Sequence, residues 1–159
     1  MTDVLAHLAR QVASARKLLG IVLAQNEAIR KQDVESLLAR LADVQLEMRT
    51  REQLERERDA LLHVASSRLG VATDDVDLDS ILSLLPPSEI DVARRASAEL
   101  RGLLAEIKQV HTSNRVLIRQ ELSFLDHLMR VISGAPDGGY SPKGWTRAPQ
   151  PGNAVDARV

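Results

Sequence analysis

Residues 88–133 read SEIDVARRASAELRGLLAEIKQVHTSNRVLIRQELSFLDHLMRVIS. From 89 to 133 there is no proline, and Gly102 is the one glycine. Apolar residues recur at Ala93, Ala96, Leu100, Leu103, Ile107, Val110, Leu117, Phe124, Leu128 and Val131, in steps of three and four. Asn114 and Glu121 complete the series. This spacing keeps one helix face apolar and predicts one helix over 88–133, about 65–70 Å long. Ser88 and Asp91 form an S-x-x-D start signal. Gly134 and Pro136 supply the stop.

Working outward, the segment before this helix changes character. TDDVDLDSILSLLPPSEID, residues 73–91, holds six acidic residues and no basic one. Asp77 can cap a short helix over 77–85, which Pro86 and Pro87 end. Asp75, Asp77 and Asp79 alternate as calcium ligands do. But an EF-hand loop starting there would put Ser80 at the glycine position and Pro86 at the terminal glutamate. Caps and a solvated connector explain the acids.

Upstream, Leu5, Leu8, Val12, Ala15, Leu19, Val22 and Ile29 form a heptad seam that only Asn26 interrupts. It predicts a helix over 2–31. Asp33 can cap a second helix over 33–69, with Leu37, Leu41, Val44 and Met48 in phase and Gly70 as the terminator. A single helix through 31–33 is the alternative. In RTREQLERERD, residues 49–59, eight of eleven residues are charged. That stretch reads as a solvated helix projecting beyond the bundle, or as a charged docking surface. Asn26 and Asn114 each interrupt a seam, either as buried residues that fix register or as exposed ones at its ends.

The fold class is therefore all-α. The two long arms, 2–69 and 88–133, are expected to pack antiparallel as an elongated, coiled-coil-like hairpin or bundle over 1–133. Residues 134–159 read as a flexible tail. Hydrophobic residues make up 44% of the 159, but aromatics only 2%, so the core must be built from aliphatic side chains.

The net charge of −1 and the lack of a basic excess argue against nucleic acid. There is no cysteine, which excludes disulfides and thiolate chemistry. MTDVLAHLAR lacks the basic region of a signal peptide, and no apolar run spans a membrane, so the chain reads as cytoplasmic. None of the four histidines stands in a metal-binding arrangement, and no G-x-S-x-G elbow or phosphate loop occurs. No enzyme activity, cofactor or metal is expected.

One stretch points to binding. Nine of the sixteen residues in LIRQELSFLDHLMRVI, 117–132, are Leu, Ile, Val, Met or Phe. Leu117, Phe124, Leu128 and Val131 form one series. Ile118, Leu122, Leu125, Met129 and Ile132 form a neighbouring one. A second apolar series needs either another helix of the same chain or a helix from a partner.

The tail segment GGYSPKGW, 138–145, holds the only Tyr and the only Trp.

Together RTREQLERERDALL, LLPPSEIDVARRASAELRGLLAEI, TSNRVLIRQELSFLDHLMRVI and the closing YSPKG resemble the FlgN family of flagellar type III export chaperones. The likeness covers nearly the whole chain. It implies a chaperone that binds the hook–filament junction (hook-associated) proteins, prevents their premature assembly and delivers them to the export gate. Contact with the membrane-embedded export apparatus would then run only through protein. By position, the resemblance places client binding on Leu117, Ile118, Leu122, Leu125, Met129 and Ile132, and gate binding on Tyr140 and Gly144. The extension WTRAPQPGNAVDARV matches no family role. A different class of function, a structural coiled-coil adaptor that self-associates through its seams, is the alternative.

Overall fold

The computed structural model describes residues 3–134. It contains α1 (Asp3–Arg30), α2 (Val34–Leu69), a single 3₁₀ turn (Thr73–Asp75), α3 (Leu78–Ser83) and α4 (Pro87–Ser133). No strand occurs among the described residues, and the protein is an all-α bundle. The 3₁₀ turn has no counterpart in the sequence reading. The chain divides into two compact units, one ending at Asn114 and the next starting at Arg115. The sequence reading treats 1–133 as one bundle instead.

Local chemistry sets the helix ends. The α1–α2 link is a real break. Lys31 and Gln32 turn the chain, Gln32 takes a left-handed φ of 55°, and the Asp33 carboxylate accepts from the Ser36 amide at 3.0 Å. Asp77 caps α3 in the same way, accepting from the Ser80 amide at 2.8 Å. α2 ends at Gly70, whose φ of 70° lets its amide reach the Ser66 carbonyl at 2.9 Å. The start of α4 differs from the expected Ser88–Asp91 box. The helix begins one residue earlier, at Pro87, so Ser88 sits inside the first turn. A proline at the first helical position gives up no hydrogen bond and arrives with helical φ, so no side-chain cap is required.

In the first unit, α1 is the central helix. Ser14 pairs with Glu47, Gln11 with Glu55 and His7 with Glu57. The partner numbers fall as those of α1 rise, so α2 runs antiparallel to α1. On its other side α1 meets α4 in parallel: Val4 clusters with Ala93, Arg16 bonds Glu99, and Asn26 bonds Asn114. α4 is thus antiparallel to α2 but parallel to α1, so the first arm is itself a hairpin and only its second helix runs against α4 as expected. The aliphatic core at one end joins Val4, Leu82, Leu85 and Ala93, with Leu8, Leu61 and Ile81 packed on it.

α1 carries two seams one residue apart. The expected one holds Val12, Ala15, Val22 and Ile29, all buried. The second runs through Val4, His7, Gln11, Ser14, Leu18, Ile21, Gln25 and Ala28, every one of them buried. Half of that series is polar, so a search for apolar spacing passes over it.

α2 meets the polar seam with carboxylates, which corrects the reading of residues 49–59 as a projecting helix. Leu54 is buried, Glu55 accepts from Gln11 at 3.5 Å, and Glu57 accepts from Arg10 at 2.7 Å. The charges are satisfied by α1 rather than by water alone. Just before this stretch Glu47 is only 2% exposed. It accepts from Ser14 at 2.7 Å and pairs with Lys17 at 2.8 Å. Burial opposes ionisation of this carboxyl, but the bonds from Lys17 and Ser14, with the charges of Lys17 and Arg51, outweigh it and hold its pKa below the usual value.

Candidate functional site

The second unit begins inside α4, and its described part is the C-terminal stretch of that helix. Leu, Met, Arg and Gln favour helix here, and no proline intervenes before Gly134 ends it with a φ of 66°. Ile118, Leu122, Leu125, Met129 and Ile132 are spaced four, three, four and three apart, so they share one face over about 21 Å. The series through Leu117, Phe124, Leu128 and Val131 lies beside them. Arg119, Asp126 and Arg130 fall on the other side, with Arg115 at the edge of the apolar face. Apolar residues thus cover about half of the helix circumference, more than one helix–helix contact uses.

The expected client-binding residues do not share one environment. Leu117 and Ile118 are half-buried. Leu122, Leu125, Met129 and Ile132 are 61%, 54%, 66% and 80% exposed. Phe124 and Val131 of the neighbouring series are also more than half exposed. Six large apolar side chains within eleven residues therefore stand mostly in water. A scattered exposed leucine is ordinary, whereas a contiguous exposed apolar patch of this kind is uncommon. Asp126 and Arg130 bridge at 3.0 Å and hold each other on the polar side. Tyr140 and Gly144 lie outside the described residues.

Among the described residues no group of three His, Cys, Asp or Glu side chains could hold a metal ion. No helix among them is long and apolar enough to cross a membrane. A cavity of about 400 Å³ lies in the first unit, lined by Leu8, Leu61, Leu62, Ile81, Leu100 and Leu104 with Arg51 among them. It is separate from the predicted residues, and the apolar spacing of 117–132 could not have pointed to it.

A protein-family model described as FlgN protein matches residues 1–148. No curated protein and no solved structure gives a significant match.

Proposed function

The chain belongs to the FlgN family, whose role is that of a flagellar export chaperone, and we propose that its clients are the hook–filament junction proteins, which it keeps from assembling early and delivers to the type III export gate from the cytoplasm. The observation that carries the client reading is the exposed series Leu122, Leu125, Met129 and Ile132 on α4. An amphipathic helix of a client, laid along that face, would remove from water what the chain leaves in it. Leu117 and Ile118 continue the same surface at its N-terminal end. Such a surface also accounts for the chemistry of the task. A client held only by apolar contact and shape can be released without a covalent step. Tyr140 and Gly144 are proposed as the gate contact on the strength of the family likeness and the rarity of rings in this chain.

Leu122→Asp and Met129→Asp test the client surface. Both side chains are largely solvated, so helicity and the melting temperature should stay near wild type. Affinity for a purified hook–filament junction protein, read by calorimetry, should fall at least about tenfold, a cost of roughly 1.4 kcal/mol. A melting collapse would make these residues core. Undiminished affinity would move the client elsewhere.

A further inference from the structure

α2 carries an apolar seam that faces away from its buried side. Val34, Leu38, Leu41 and Met48 are 65%, 61%, 42% and 45% exposed. With Gln45 they are spaced four, three, four and three apart and form one stripe about 21 Å long. Glu47 and Leu54, which bury α2 against its own chain, lie more than a third of a turn from it. The stripe ends where the charges of Arg49 and Glu52 begin. We propose that this stripe is a self-association surface, filled by the same segment of a second copy running antiparallel.

The charge pattern selects that occupant. Ala42 is small and exposed on the row that flanks the stripe, level with its middle, and Glu35 and Arg49 lie on the same row seven residues to either side of it. Neither makes an ion pair among the described residues, whereas Arg40 pairs with Asp43 at 3.1 Å on the same helix. A two-fold axis at Ala42 sets Glu35 of each copy against Arg49 of the other, twice. A parallel pairing would set Arg49 against Val44 of the other copy, and the position it would set against Glu35 is 30, which lies in α1 before the turn and not on α2. The surface is therefore complementary to itself in one orientation, as a two-fold contact requires. This inference does not rest on the chaperone reading, since the stripe belongs to the first unit and the proposed client face to the second.

Sedimentation equilibrium on the full chain provides the test. The wild-type chain should shift from monomer to dimer with rising concentration, and Leu38→Asp should hold it monomeric with helicity kept. Glu35→Arg alone and Arg49→Glu alone should each weaken the dimer several-fold. The double variant should restore it. Those two residues are about 21 Å apart within one helix, so rescue can act only between copies. Because the reversals are on exposed positions, they report even if Leu38→Asp unfolds. A wild-type monomer at every concentration would overturn the proposal, as would a double variant no tighter than the single ones. If Leu38→Asp lowers client affinity while the mass stays unchanged, the stripe belongs to the client instead.

Discussion

At Gly70 the backbone alone decides the residue. Its φ of 70° is the left-handed conformation that closes α2, and a Cβ placed there meets nothing within 4 Å. Gly70→Ala should therefore cost about 1 kcal/mol, from conformation and not from a clash. Chemical denaturation would read the loss with an unchanged slope. The two seam asparagines show a different economy. Asn114 is 2% exposed, accepts from Asn26 at 2.8 Å and donates to the Val22 carbonyl at 2.9 Å. The bonds tie one level of α4 to one level of α1, and a slip of one turn would leave a buried amide unsatisfied. Asn114 is thus buried rather than exposed at the end of its seam, and Asn26 is half-buried. Glu47 adds a pH dependence. Its pKa is held below the usual 4.5 in the folded chain. A depressed carboxyl contributes stability that is present above the unfolded pKa and is lost as pH falls through the folded one. Glu47→Gln should thus flatten the decline in urea stability below about pH 4.5. Glu57, Asp33 and Asp77 are shifted in the same direction, so part of the decline should remain.

At the scale of the element, α2 separates what composition shows from what packing does. Residues 49–59 look solvated because one strongly apolar residue stands among eight charges. Yet that residue, Leu54, is 4% exposed, and the charges toward α1 find Arg10, Gln11 and His7. Leu54→Ala should therefore cost about 2–4 kcal/mol, as for a buried leucine. Neutralising the exposed Arg56 and Arg58 to Gln should cost less than about 1 kcal/mol, since Arg58 meets Glu55 only at 3.4 Å. Thermal melts of the two variants decide it, and equal losses would mean that the whole segment is packed. The contrast explains which parts of the fold were legible. Helix existence, the caps at Asp33 and Asp77 and the stop at Gly70 follow from local rules within a few residues. The second seam of α1 was not legible, because its polar members become interior residues only when α2 supplies carboxylates opposite them. The start of α4 was misread by one residue because a proline can replace the cap that Ser88 was expected to provide.

For the whole molecule, the residues that hold the fold and those proposed for the client lie in different parts of the chain. Among the described residues, the buried ones, the polar seam and the ion pairs at Glu47 and Glu57 all lie in the first unit, which ends at Asn114. The large exposed apolar series proposed for the client lies beyond it. Its presence was legible from two adjacent periodicities in 117–132, but its accessibility was not, since periodicity cannot say whether a second apolar face is covered. The division of labour leads to one further expectation. If the client contacts α4 while Tyr140 contacts the export gate, the two functions are separable by mutation. Tyr140→Ala should leave the melting temperature and client affinity at wild-type values, because neither the described bundle nor the proposed client face includes it. Export of the client should fall sharply, since truncating an aromatic anchor often costs about 2 kcal/mol or more, a change of roughly thirtyfold in binding. Secretion of a hook–filament junction protein by cells carrying the variant, measured beside the affinity of the purified pair, gives both readouts. Normal secretion would remove Tyr140 from the gate contact. Lost client affinity would instead place the ring on the client itself, and the two steps would then share one surface.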